Sequence, residues 1–181
     1  MDRRKAILDA ALESFDATGA TAIEEIKRRS GASVGSIYHH FGGVDGVTAA
    51  LYVEILRDYQ AGVVRTLRPE SEAEEGVRGL VRYHLRWVDR NPQRARFLLQ
   101  SGAARLAAGE ELKALNRELA GAVAAWVEDQ PAIRPLPGEV FYAVLFGPAQ
   151  ELSRAWLAGR ARPPRRIADE LAAAAWRAVR G

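Results

Sequence analysis

The chain has 181 residues, of which 48% are hydrophobic and 27% are charged, and it contains no cysteine. This composition is that of a globular protein, so it excludes a disordered chain, a disulfide scaffold and any thiolate metal site. No apolar run is long enough to span a membrane, and the N-terminus lacks the apolar region of a signal peptide. We therefore expect a cytoplasmic protein without membrane association. The net charge of +3 is too small to indicate a nucleic-acid partner by itself.

The first part of the chain predicts three helices separated by glycine-containing turns. A helix over residues 3–18 carries one apolar stripe, and a second helix begins at Thr21, where Thr21 and Glu24 match a capping box. Ser33 is placed to cap a short third helix over residues 34–40.

Glycine and proline divide the remaining chain into six further segments with helical composition. They are expected at about residues 44–68, 70–91, 92–101, 110–130, 138–158 and from 163 onward. The predicted fold class is therefore all-α with about nine helices. It comprises an N-terminal three-helix bundle over residues 1–46 and a C-terminal helical domain over residues 47–181.

The segment from Thr21 to Val47 has the layout of a helix-turn-helix. This motif places its second helix in the DNA major groove, where small residues allow close approach and polar side chains and helix N-termini reach phosphates. A basic arm formed by Arg3, Arg4 and Lys5 adds further phosphate or minor-groove contacts. The other candidate DNA-contacting residues are Thr21, Ser33, Val34, Gly35, Ser36, Tyr38, His39 and His40.

The stretch from Ile26 to Phe41, IKRRSGASVGSIYHHF, resembles the DNA-binding signature of the TetR family of transcriptional regulators. The positions that share the residue of that signature are Gly31, Ser33, Gly35, Tyr38, His40 and Phe41. The chain departs from the signature at Lys27, where the family has a small alanine, and at Val44, where a lysine usually contacts phosphate.

The resemblance implies a homodimer that binds a near-palindromic double-stranded operator and is released by a small-molecule effector, as a repressor. It also implies an effector pocket among helices five to eight, for which aromatic residues of that region are candidates and an apolar or aromatic effector is expected. The candidate wall consists of Tyr83, Trp87, Phe97, Trp126 and Tyr142. The alternative is that these side chains only pack in the core.

The last two predicted helices are expected to form the dimer interface, because their apolar stripes are difficult to cover within one monomer. The candidate residues are Val144, Leu145, Ala149, Leu152, Trp156, Ile167, Leu171, Ala174, Ala175 and Ala178. The alternative is that both helices close the core of the monomer.

Two other classes of function stay open at this stage. One is an all-helical enzyme, although the sequence shows no nucleophile elbow, phosphate loop or carboxylate pair. The other is a helical interaction or ligand-binding module without DNA binding. We expect no enzymatic activity and no cofactor. We also expect no metal site, because His39 and His40 point in different directions on a helix and His84 is interpreted as an ordinary helix residue.

Overall fold

A computed structural model describes residues 2–67 and 72–181. These residues form ten α-helices and one 3₁₀ turn, Pro164–Ile167, so the predicted all-α class is confirmed. The expected first residues of the fifth helix, 70 and 71, lie outside the described part. Among the described residues, no helix is both long and apolar enough to cross a membrane. The helices are α1 (Arg3–Thr18), α2 (Ile23–Ser30), α3 (Val34–Phe41), α4 (Val44–Thr66), α5 (Ala73–Arg90), α6 (Pro92–Gln100), α7 (Gly102–Ala107), α8 (Gly109–Glu128), α9 (Gly138–Leu157) and α10 (Ala168–Val179).

The turn between α2 and α3 forms as the sequence predicts. Gly31 adopts φ +66°, a left-handed conformation that L side chains rarely adopt, and it ends α2. The Ser33 side chain then accepts a hydrogen bond from the backbone N–H of Ser36 at 3.1 Å. This side-chain cap sets where α3 begins.

The predicted capping box at the start of α2 is wrong. The N-cap residue is Ala22, which has no capping side chain. The Thr48 hydroxyl donates to the carbonyl oxygen of Val44, so its oxygen accepts from the Thr21 hydroxyl at 2.9 Å. Thr21 therefore links the start of α2 to α4, and its hydroxyl hydrogen is already used within the protein.

α3 and α4 meet at a close backbone approach. A Cβ atom at position 46 would overlap the carbonyl oxygen of Phe41, the last residue of α3. Only glycine has no such atom, so Gly46 lets the first turn of α4 pass directly beside the end of α3. The orientation of α3 therefore depends on this contact.

The chain divides into two compact units that are not continuous in sequence. The first unit contains the chain up to Arg57 together with Gln93–Ala114, and the second contains Asp58–Pro92 together with Leu115–Gly181. The predicted domain boundary at residue 46 therefore falls inside the first unit. The predicted seventh helix is preceded by a separate short helix, α7, which the sequence did not predict.

The core of the first unit joins helices that are distant in sequence. Ile7 of α1, Ile26 of α2 and Ile37 of α3 are completely buried. Phe97 of α6 is also completely buried, and its ring meets the edge of the Phe15 ring at 5.0 Å between centroids. Burying an aromatic ring of this size contributes on the order of 2 kcal/mol or more, so α6 helps to stabilise the helix-turn-helix.

The core of the second unit is built on α5, which packs against α9 and α10. Val77, Leu80 and Leu85 of α5, at helical spacing, are completely buried in this core. All four tryptophans of the chain, at positions 87, 126, 156 and 176, belong to this unit.

Candidate nucleic-acid interface and ligand cavity

α3 presents one buried side and one exposed side. Ile37 is completely buried, whereas 57% of the Tyr38 surface and 37% of the Val34 surface are exposed. His39 and His40 follow on the exposed side, and Gly35 and Ser33 lie at the start of the helix. The structure thus brings the predicted contact residues of α3 together on one accessible surface.

Two contacts fix the end of this surface. The ring of Tyr38 lies over Gly43, where an added Cβ would be 3.5 Å from the ring. The Arg4 guanidinium lies over the Phe41 ring at 5.5 Å from its centroid, a cation–π contact. The Tyr38 hydroxyl has no protein hydrogen bond among the described residues, so it is available to an external acceptor.

The predicted basic arm is part of a helix, because Asp2 caps α1 and residues 3–5 form its first turn; contact of these residues with DNA stays a prediction. Arg3 donates to the carbonyl oxygen of Gly31 at 3.3 Å. Lys5 pairs with Asp9 at 2.7 Å, and this hydrogen-bonded pair raises the pKa of Lys5. These exposed side chains therefore lie against the protein instead of extending from it.

The basic triplet at the end of α2 is paired with acidic side chains. Lys27 reaches Glu24 at 2.8 Å, which shows that the long side chain at this unusual position extends to the surface. Hydrogen bonds from Arg28, and then from Arg29, lower the pKa of the Glu25 carboxyl to about 2. The triplet is a network of surface ion pairs, as an exposed helix face commonly is.

The predicted aromatic wall is brought together only in part. Tyr83 and Trp87 line one cavity of the second unit. Phe97 was wrongly assigned, because it belongs to the core of the first unit. Trp126 is buried against Gly76, and Tyr142 is 51% exposed with its hydroxyl accepting from the Gln150 amide at 2.8 Å.

The cavity beside Tyr83 and Trp87 is lined mainly by polar and charged side chains. Its volume is about 500 Å³. The sequence predicted two of its seven lining residues and missed the other five. The lining consists of Asp58, Arg65, Tyr83, Arg86, Trp87, Arg90 and Asn91. The signal that could have found part of it is the spacing of arginines on α5, at positions 78, 82, 86 and 90.

A polar network crosses the core next to this cavity. Ser153 donates to the carbonyl oxygen of Ala149 at 2.7 Å, so its oxygen is left to accept from Nε2–H of His84 at 3.4 Å. Nδ1 of His84 then accepts from the Tyr59 hydroxyl at 2.8 Å. Burial lowers the pKa of His84 to about 4 and raises the pKa of Tyr59 well above its usual value. His84 is therefore a neutral, hydrogen-bonded core residue with a defined tautomer.

Three of the predicted dimer residues are covered by the chain itself. Leu145, Ala149 and Ala175 are buried in the core of the second unit. The others keep accessible surface: Ile167 is 42% exposed and Ala178 is exposed. The remaining members are half-buried, namely Val144, Leu152, Trp156, Leu171 and Ala174.

Comparisons with known proteins agree with this geometry. Residues 7–51 match the family described as bacterial regulatory proteins, tetR family. The HTH-type transcriptional regulator BetI of Burkholderia mallei is 34% identical over 73 residues, which are 39% of this chain and 37% of that protein. The chain thus spans well under half the length of the curated relatives it matches.

Solved structures resemble the chain over nearly its whole length. A regulator of the tetR family from Rhodococcus RHA1 has a TM-score of 0.79 at 21% identity, covering 99% of this chain and 97% of that one. FadR from Bacillus subtilis, in complex with stearoyl-CoA, has a TM-score of 0.76 at 16% identity, covering 94% and 96%. At these identities the likeness shows a shared fold. The family match covers most of α1, all of α2 and α3 and the start of α4, and the likeness in fold extends beyond that match.

Proposed function

We propose that this chain is a ligand-responsive repressor that binds a near-palindromic operator as a homodimer through α3. The observation that carries the proposal is the exposed polar surface of α3, held in place by the Ser33 cap and by the Gly46 contact. The match of residues 7–51 to the tetR family supports a regulator of transcription over an enzyme.

Tyr38 and His40 are the proposed phosphate anchors of this surface. Both side chains are exposed, so they reach a phosphate without any rearrangement of the core. Arg3 and Lys5 add positive charge from the first turn of α1, although both already have partners. Affinity for DNA should accordingly fall steeply as the salt concentration rises.

Fluorescence anisotropy with labelled DNA from upstream of the chain's own gene tests the proposal. Tyr38→Ala and His40→Ala should each weaken binding by about 1–3 kcal/mol, the cost of losing a hydrogen bond to a charged group. Leu106→Ala is the control, because Leu106 is 84% exposed in the same unit and lies outside α3.

If both variants keep their helical content and bind DNA as the wild type does, α3 does not contact DNA as proposed. If no DNA fragment from that region binds the wild type at low salt, the chain is a helical module without DNA binding, and the repressor proposal fails.

The proposed dimer uses the accessible faces of α9 and α10. A two-fold dimer presents two copies of α3, and a short helix alone reads too few base pairs to define a site. Leu171→Glu combined with Ala174→Glu places like charges across the two-fold axis and should yield monomers by light scattering. The control pair, Ala103→Glu with Ala107→Glu, changes two exposed alanines of α7. A dimer that survives the first pair but not the second would move the interface to α7.

The proposed effector is a small molecule with an apolar or aromatic part that lies against Tyr83 and Trp87. The cavity supports this because it has the volume of a small-ligand site and both aromatic residues line it. The stearoyl-CoA complex of the Bacillus subtilis neighbour supports a small-molecule ligand for this fold. Release from DNA requires that the effector prefer one conformation of the dimer over the other.

A further inference from the structure

The arginines of α5 fall into two different groups. Arg78 pairs with Glu74, and Arg82 pairs with Asp169, each at 2.6 Å. Arg86 and Arg90 continue the same four-residue spacing toward the end of the helix. Within residues 2–67 and 72–181, neither of these two has a hydrogen bond or an ion pair with another side chain. Like charges at this spacing repel each other.

A third guanidinium reaches the same cavity from another helix. Arg65 of α4 lines it together with Arg86 and Arg90, and Arg65 acts electrostatically on the Tyr83 hydroxyl. Asp58 is the single carboxylate among the lining residues of the described chain. Three positive charges and one negative charge give the lining a net charge of +2.

The rest of the lining is held in place by internal contacts. The Tyr83 hydroxyl donates to the backbone oxygen of Tyr59 at 3.0 Å, and the Asn91 amide donates to the backbone oxygen of Trp87 at 2.9 Å. The Trp87 ring in turn packs edge-on against Tyr59, at 5.0 Å between centroids. The aromatic wall is therefore formed before any ligand arrives, which reduces the entropy that binding must overcome.

We infer that this cavity binds the acidic group of a small molecule, a phosphate or a carboxylate, through Arg65, Arg86 and Arg90. Guanidinium groups form paired, charge-assisted hydrogen bonds to either kind of anion. The acidic group lies among the arginines, and the remainder of the molecule lies against Tyr83 and Trp87. Only the description of this molecule as the effector rests on the proposed function. The anion site is inferred from the residues that line the cavity.

Isothermal titration of the DNA-free full chain tests the site with two probes. Inorganic pyrophosphate represents the phosphate source, and citrate represents the carboxylate source. We expect saturable binding of at least one probe, and the probe that binds more tightly identifies the class of acidic group. Arg86→Gln combined with Arg90→Gln should weaken that binding on the order of tenfold or more, because two charge-assisted contacts are removed.

The matched control is Arg117→Gln combined with Arg177→Gln. It removes the same charge from two exposed arginines of the second unit that lie outside the cavity. The control should bind the probe as the wild type does. An equal loss in both double variants would reveal a general charge effect and overturn the site, as would failure of both probes to bind the wild type.

The same protein is then tested for release of operator DNA by the bound probe. Tight binding without any change in DNA affinity would keep the anion site and contradict the effector proposal alone. Loss of probe binding in the cavity variant with unchanged DNA affinity would confirm that the two surfaces are independent.

Discussion

The buried imidazole of His84 predicts that the second unit loses stability in mild acid. Only 8% of this residue is exposed, and its two ring nitrogens are used by Tyr59 and Ser153. Protonation would add a hydrogen to Nδ1, which could then no longer accept the hydrogen bond from the Tyr59 hydroxyl. The charged ring is therefore disfavoured both by the loss of this bond and by desolvation.

The magnitude follows from the difference between the pKa of His84 in the folded protein and its pKa in the unfolded chain. The pKa is about 4 in the folded protein, whereas an unperturbed histidine has a pKa of 6.5. The unfolded chain binds more protons between these values, so the stabilisation is complete above pH 6.5, decreases as the pH falls from 6.5 to 4, and is fully lost below 4. The free energy of unfolding should be about 2 kcal/mol lower at about pH 5 than at about pH 8, and about 3 kcal/mol lower once both states are protonated.

Urea unfolding followed by circular dichroism at these two pH values measures the effect. His84→Gln removes the titrating group, so its pH dependence should be smaller than that of the wild type by about 2 kcal/mol. His39→Gln is the control, because His39 is an exposed histidine of α3. Equal pH dependence in all three proteins would refute the reasoning. Should His84→Gln fail to fold, an NMR titration of the wild type decides the matter, since a ring that titrates near 6.5 is not buried as described.

Two further pairs of substitutions test the packing. Gly46→Ala should lower the free energy of unfolding by about 2 kcal/mol or more, because the added Cβ overlaps the Phe41 carbonyl oxygen. Gly121→Ala meets no atom within 4 Å and should instead stabilise α8 by about 0.5–1 kcal/mol in the same urea experiment; equal effects would contradict the close approach. Trp126→Phe should change stability by less than about 1 kcal/mol, because the buried indole N–H has no acceptor among the described residues and its removal offsets the lost ring area. Trp126→Ala should cost about 3–5 kcal/mol; a phenylalanine variant as unstable as the alanine variant would show that the N–H is satisfied.

The helices were predictable where glycine, proline or a capping side chain marks their ends. Ser33 and Gly31 are local signals, and they act as the sequence indicates. Thr21 carries the same kind of local signal, yet its hydroxyl bonds to Thr48, 27 residues away, and tertiary contact overrides the capping box. The short α7 was missed because its alanine-rich sequence lies between glycines that suggest a loop.

The surface of α3 could be predicted because all of its residues lie within one short segment. The ligand cavity could not, because its α4 residues, Asp58 and Arg65, precede its α5 residues by 18 positions or more. Phe97 was misassigned for the same physical reason: the chain returns to the first unit at residue 93, and nothing local in an apolar helix face shows which core it enters. His84 looks like any other helix residue until Tyr59 and Ser153 are brought beside it.

The location of all four tryptophans in one unit makes the two units optically distinct. Fluorescence excited at wavelengths that only indole absorbs reports on the second unit. The aromatic signal of the first unit comes from tyrosine, including Tyr38 on α3 and Tyr52 in its core. Unfolding curves recorded with indole emission and with backbone ellipticity will coincide only if both units unfold together. A tryptophan introduced in place of His39 would give the first unit an optical signal of its own, on the helix proposed to enter the groove. The native sequence thus supplies a built-in reporter of one half of the molecule and leaves the other half free to be labelled.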